Sequence, residues 1–199
     1  MIGRILILAL LSYLLGGIPF GFLLGKLFCQ VDIRSMGSGN SGATNALRIL
    51  GPAIGVSTLV LDGLKGYVSA CLGTVFAGSD GMLAAGLFCV IGHCYSPYMR
   101  LRGGKGVATS LGVLLCISPL LVGCLVILFF LLVLPTRLVS LGSVFSAVAA
   151  PFLSFFLFGW QHETAVILCM GLLVLWRHRA NIRRLLRGEE SRITFRKKR

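Results

Sequence analysis

A chain of 199 residues with 56% hydrophobic and only 13% charged residues is too apolar for an ordinary soluble domain, whose charged share is about 25%. The net charge of +13 does not read as nucleic-acid binding, because ten of the 19 Lys and Arg residues lie between Arg177 and Arg199 and others punctuate short loops. That is the pattern of cytoplasmic loops, with attraction to anionic lipid headgroups added.

Apolar stretches of about 18 or more residues are candidate membrane spans. The first here runs from Ile5 to Leu27. With Arg4 in front it has the look of a signal peptide, but the run is long. Ile18-Pro19-Phe20-Gly21 also offers no small-residue cleavage site, so it is taken as a span. A polar loop follows, Asp32-Ile33-Arg34-Ser35-Met36-Gly37-Ser38-Gly39-Asn40-Ser41-Gly42-Ala43-Thr44-Asn45, with Arg48 one turn on. Its GxGxxG at Gly37, Gly39 and Gly42 would need a preceding strand to be a dinucleotide site, and a membrane helix precedes it instead. What survives is local chemistry. Glycines let N–H groups approach an anion, Ser and Asn add donors, and an arginine clamps phosphate oxygens in a fork.

The second span, Ala53 to Ala77, contains Asp62 and Lys65 three residues apart. Charges at membrane depth are costly unless paired, so these read as an ion pair bracing the site. A turn at Gly78-Ser79-Asp80-Gly81 leads to the third span, Met82 to Tyr98, near whose end His93 reads as an interface histidine, with a site role also open. Next comes Leu101-Arg102-Gly103-Gly104-Lys105-Gly106-Val107-Ala108-Thr109. It lacks the glycine and the Ser/Thr of a nucleotide-binding P-loop, since Met99 and Gly106 stand there. Gly-Gly-Lys-Gly before an apolar run still predicts a helix N-terminus, whose unpaired N–H groups suit phosphate.

The run Val107 to Leu134 is long for one helix and is interrupted at Ser118-Pro119, where proline predicts a break. Splitting it puts Arg137 on the basic side, together with Ser140 and Ser143 at the inner end of the next span, Leu138 to Trp160. His162 and Glu163 then fall on the outer side before the last run, Thr164 to Trp176. The tail opens Trp176-Arg177-His178-Arg179-Ala180-Asn181, with His178 and Asn181 on one helical face, and runs on to Gly188-Glu189-Glu190. A basic interfacial helix is the plain alternative for it. The seven cysteines fall mostly in apolar segments with no CxxC spacing, so they read as packing residues rather than disulfides or a zinc site.

The fold class expected is therefore all-α: a polytopic transmembrane helical bundle of about seven helices, N-terminus outside and C-terminus cytoplasmic. A five-span count keeps 107–134 whole. Residues 1–199 form a single integral-membrane domain with a basic cytoplasmic tail, 177–199.

Three motifs in this order, Gly-Ser-Gly-Asn-x-Gly-Ala-Thr-Asn from Gly37, Gly-Gly-Lys-Gly-Val-Ala-Thr from Gly103 and His-Arg-x-Asn-Ile-x-Arg-Leu-x-x-Gly from His178, make the whole chain resemble the bacterial acyl-phosphate:glycerol-3-phosphate acyltransferases, integral membrane proteins described as seven-helical. The resemblance implies transfer of a fatty acyl group from acyl phosphate to the 1-hydroxyl of glycerol 3-phosphate. The products would be lysophosphatidic acid and phosphate, at the cytoplasmic face of the inner membrane, with no cofactor and no metal. It implies a site of Ser38, Arg48, Lys105, Ser143, His178 and Asn181, with Ser140 competing with Ser143. Gly37, Gly39, Asn40, Thr44, Asn45, Gly103, Gly104 and Gly106 would bind substrate. Arg48, Lys105 and the glycine N–H groups would hold two phosphates, His178 would orient or polarise, and the serines and Asn181 would position substrate. The partners implied are the two substrates, membrane lipids and an upstream enzyme forming acyl phosphate.

No Ser-His-acid order supports an acyl-enzyme, and no His-x4-Asp motif exists: Tyr98, Ile167 and Arg183 stand five residues after the three histidines. A transporter of a phosphate ester is the competing function, disfavoured because the polar motifs gather at one face rather than mid-membrane. A CDP-alcohol transferase would need a carboxylate-rich metal motif, which six scattered acidic residues do not supply.

Overall fold

The computed structural model describes residues 1–193, whose regular structure is entirely helical; residues 194–199 of the expected basic tail lie outside the described residues. The first apolar run forms two helices, α1 (Ile2–Gly17) and α2 (Phe20–Cys29), broken at Ile18-Pro19. Proline has no N–H and cannot continue a helical ladder. A 3-10 turn (Ile33–Ser35) and a short helix α3 (Ala43–Leu50) carry the first polar loop. The next element, α4, spans Pro52–Cys94 but is non-helical at Ala77 and Gly78, where the glycine has φ 63. Its two limbs fold back on each other: Gly73 meets Gly81, and Cys89 Sγ lies 3.5 Å from the Lys65 carbonyl. The turn expected at 78–81 thus begins one residue early.

The break expected at Ser118-Pro119 separates α5 (Val107–Ile117) from α6 (Pro119–Thr136), with Ser118 Oγ accepting the Leu121 N–H at 3.2 Å as an N-cap. Then follow α7 (Val139–Phe158), α8 (His162–Arg177) and α9 (Arg179–Leu186), the last bent 62° away from α8. Among the described residues, four helices are long and apolar enough to cross a membrane, or five if the bent α8–α9 pair is one span. That count takes α4 once although it reverses, and omits α5 for its length.

Small residues set the helix contacts, as they do where apolar lipid gives no drive to associate. Gly16 and Gly92 bring α1 against the second limb of α4, and Gly66 and Gly112 bring α5 against the first. Ser154 and Thr164 share a 2.9 Å hydrogen bond between antiparallel α7 and α8. Val90, Val113, Leu121, Leu125, Ile167 and Met170 fill the interior, while Leu6, Phe76, Leu131 and Phe156 face outward. Cys71 and Cys116 thiols approach to 3.5 Å across α4 and α5, and all seven cysteines are free.

Four non-spanning segments meet at one end of the bundle. Lys105 reaches Asn181, Arg48 reaches the Ser191 carbonyl, and the Ile193 N–H reaches the Arg137 carbonyl at 2.9 Å.

Candidate active site

The first loop is shaped by its own residues. Asp32 caps the 3-10 turn by accepting from the Arg34 N–H at 3.0 Å, and its side-chain hydrogen bonds from Arg34 hold its carboxyl down at about 2. Asn45, in the first turn of α3 and 2% exposed, reaches back into the loop. Its Nδ2 donates to the carbonyls of Ile33 (2.9 Å), Met36 (3.1 Å) and Asn40 (2.9 Å), and its Oδ1 accepts the Ser38 N–H at 3.0 Å. The amide is therefore fully engaged with the chain. Gly37 and Gly39 take φ of 60 and 68, a left-handed conformation that admits glycine at no steric cost. They shape the turn and are not in the cavity wall; Ser38, Asn40 and Thr44 are.

The second loop is fixed from elsewhere. Gly103 N–H donates to the Cys94 carbonyl at 3.1 Å and Gly104 N–H to the His93 carbonyl at 2.9 Å. Their own carbonyls accept from Arg177, Nη2 at 2.9 Å and Nε at 3.0 Å. The N–H groups expected to face phosphate at Gly103 and Gly104 are thus taken by the main chain, and neither residue is in the cavity wall. Lys105, Gly106, Val107 and Ala108 are. Gly106 starts α5 at φ 88, and the first-turn residues Val107 and Ala108 line the cavity together with Ala43 and Thr44 at the start of α3, so that both helix ends meet it; the Gly42 N–H is already taken by Asn40 Oδ1 at 2.8 Å.

The tail closes the site. Lys105 Nζ donates to Asn181 Oδ1 at 2.6 Å, Asn181 Nδ2 to Glu190 Oε1 at 2.7 Å, and Arg184 Nε to Glu190 Oε2 at 2.7 Å. Burial pushes the Glu190 carboxyl up, but the hydrogen bonds from Arg184 and Asn181 outweigh it, and the net shift is downward. Lys105 is lowered to about 8, by burial first and by the charges of Arg184, Arg48 and Arg177, against the pull of Glu190. His178, 2% exposed, is held down to about 4 by burial and then by the Lys105 charge. Its Nδ1 lies 2.8 Å from the Val174 carbonyl, an acceptor only, so Nδ1 carries the hydrogen and Nε2 the lone pair. Ser143 Oγ donates to its own helix at Val139 O, 2.9 Å away, whereas buried Ser140 Oγ and Arg48 Nε have no partner. Both serines stand in the wall.

The cavity, about 140 Å³, brings Ser38, Arg48, Lys105, Ser143, His178 and Asn181 together. At Leu59, Val107, Ala108, Phe129 and Ser143 it continues into an almost wholly apolar groove of about 240 Å³ between α5, α6, α7 and α8. Among the described residues no group of three His, Cys, Asp or Glu side chains gathers as a metal site. Sequence reasoning assigned no role to Glu190, the acidic group that orients Asn181, or to Arg177 as the holder of the glycine loop. Its only signal for Glu190 was a carboxylate amid arginines. Asp62 and His93 also reach the cavity wall, His93 as a buried group rather than an interface one.

The sequence profile of the Glycerol-3-phosphate acyltransferase family matches residues 6–188. Proteins named Glycerol-3-phosphate acyltransferase are similar over nearly the full length: one from Finegoldia magna is 43% identical over 190 residues, 95% of this chain and 96% of its own. Another from Syntrophotalea carbinolica is 45% identical over 190 residues, 94% of this chain and 96% of its own. Two crystal structures of PlsY, an integral membrane glycerol 3-phosphate acyltransferase, superpose at 38% identity. The glycerol 3-phosphate form has a TM-score of 0.91 and covers 96% of both chains. The lysophosphatidic acid form has a TM-score of 0.89 and covers 96% of this chain and 95% of its own.

Proposed function

The chain belongs to the glycerol-3-phosphate acyltransferase family, and on that footing we propose that it transfers a fatty acyl group from acyl phosphate to the 1-hydroxyl of glycerol 3-phosphate, releasing lysophosphatidic acid and phosphate. The observation that carries this reading is the junction between the two cavities. A pocket built from Arg48, Lys105 and two helix N-termini opens directly onto an apolar groove, as a substrate with a phosphate head and an acyl tail requires.

The step is a substitution at the acyl carbon. The glycerol oxygen bonds to that carbon, the bond to the phosphate oxygen breaks, and the hydroxyl proton leaves with the departing phosphate. Arg48, Lys105 and the N–H groups of α3 and α5 offset charge growing on that phosphate. Neutral His178 accepts from the attacking hydroxyl through Nε2 and orients it, while Ser38, Ser143 and Asn181 position the glycerol phosphate. Acyl phosphate is already activated, so the reaction calls for no cofactor.

The same proposal includes topology. The first span, both limbs of α4, and α5 to α8 make seven crossings, with the N-terminus outside. The end carrying Arg48, Lys105 and the basic tail faces the cytoplasm of a bacterial inner membrane, where an upstream enzyme delivers acyl phosphate. The test is phosphate release by purified protein given glycerol 3-phosphate with acyl phosphate, acyl-CoA or acyl carrier protein. Only acyl phosphate is expected to support turnover. Lys105→Ala and Arg48→Ala should each lose about a hundredfold or more, the cost of one preorganised transition-state contact. Full turnover in both variants rejects the site.

A further inference from the structure

Three ionisable side chains lie inside the α4 hairpin and take no part in the reaction just described. Lys65 is 1% exposed, Asp62 3% and His93 8%. Lys65 Nζ sits 2.8 Å from Asp62 Oδ1, and His93 Nδ1 sits 3.5 Å from the same oxygen. Buried charges inside a membrane are expensive and mark functional positions by default. A buried ion pair adds little stability by itself, so its presence calls for another reason.

The cluster connects two places where the chain is broken. At one end is the interruption of the first span. Pro19 cannot donate there, and the freed carbonyls of Gly17 and Ile18 are taken by Ser96 Oγ at 2.5 Å and Lys65 Nζ at 2.8 Å. At the other end is the loop that carries Lys105. The His93 carbonyl accepts the Gly104 N–H, and the His93 ring occupies the space beside the Gly104 Cα, so that a Cβ on Gly104 would overlap Nε2. Gly104 immediately precedes Lys105 in the chain.

We propose that His93 is the positioning residue for Lys105. Lys65 holds Asp62, Asp62 holds the His93 ring, and the ring is the surface on which Gly104 rests, so the height of the Lys105 ammonium in the cavity is set by the α4 hairpin. Glycine stands at 104 because the imidazole leaves no room for a side chain. This inference rests on the reading of Lys105 as the residue that binds phosphate.

The test is a double-mutant cycle on the full-length protein in lipid nanodiscs, read as phosphate release from acyl phosphate and glycerol 3-phosphate. Gly104→Ala in the wild-type background is expected to lower kcat/KM for glycerol 3-phosphate by about a hundredfold, the cost of misplacing a catalytic group by about 1 Å. The loss should show as a raised KM more than as a lowered kcat, with the melting temperature unchanged, a split that a merely structural defect would not produce. In the His93→Ala background the added methyl fills the vacated space, and Gly104→Ala should cost no more than about twofold further. If His93→Ala does not fold, His93→Asn, which also vacates the site, replaces it in the cycle. Equal losses from Gly104→Ala in both backgrounds, or wild-type activity in Gly104→Ala alone, overturn the proposal. If the wild-type protein releases no phosphate, the proposed reaction fails. The cycle is then read as affinity for inorganic phosphate by calorimetry, where the same coupling supports the inference and additivity rejects it.

Discussion

The two glycine-rich loops of the cavity have similar sequences and are held by different means. The first, 37–45, closes on itself through the Asn45 amide, whose acceptors and donor all lie within 12 residues. The second, 103–106, is pinned by the backbone of 93–94 and by Arg177, 73 residues away. In both loops the glycines serve mainly to let one stretch of chain approach another. The N–H groups of Gly39, Gly103 and Gly104 already have backbone acceptors. What remains to attract an anion is the pair of helix ends and the side chains of Arg48 and Lys105.

The sharpest way to break this comparison is Arg177→Ala. It removes both hydrogen bonds to the second loop while leaving the first untouched, and kcat/KM should fall about a hundredfold through displacement of Lys105. Wild-type turnover would mean the 93–94 backbone suffices. Asn45→Ala addresses the other loop, where the carbonyls of Ile33, Met36 and Asn40 lose their donor. It should reduce folding stability by about 3 kcal/mol, about 1 kcal/mol per orphaned carbonyl, read as a lowered unfolding midpoint. Unchanged stability would show that water or neighbouring chain replaces the amide.

The smallest effect is on pH dependence and separates the loops by chemistry. The first loop's cation is an arginine, while that of the second, Lys105, is lowered to about 8 from an ordinary 10.5. The charged form of Lys105 is present below about 8 and lost above it, so the rate of phosphate release should decline as pH rises through about 8. Stability should move the other way between about 8 and 10.5, because there the unfolded chain binds the proton that the folded chain has released. Lys105→Arg should remove the alkaline decline; its persistence would assign the decline to another group.

Much of the architecture could be read along the chain. The spans followed from apolar length, the breaks at Gly78 and Pro119 from residues that cannot sustain a helix, and α5 from Gly-Gly-Lys-Gly ahead of an apolar run. The ion pair of Asp62 and Lys65 was visible as two charges three residues apart in an apolar segment. His93 was harder to read, because its contact with Asp62 exists only once the α4 hairpin reverses at Gly78. Glu190 was harder still: its partners lie six and nine residues back, across the turn after α9. The first span's break at Pro19 was likewise hidden, because the apolar run continues through it.

Composition, charge placement and motif order were sufficient to determine a membrane bundle with its glycine-rich and basic loops gathered at one end. Each of those properties depends on residue type and spacing alone: apolar length sets a span, basic residues resist translocation, and proline and glycine interrupt helices. Which polar groups stay available for substrate was decided by the tertiary structure. Every backbone N–H and carbonyl looks equally free in a sequence; the fold engaged Gly103 and Gly104 with the 93–94 backbone and with Arg177 some 70 residues away, tied the Asn45 amide to its own loop, and left Arg48, Lys105 and the ends of α3 and α5 facing the cavity.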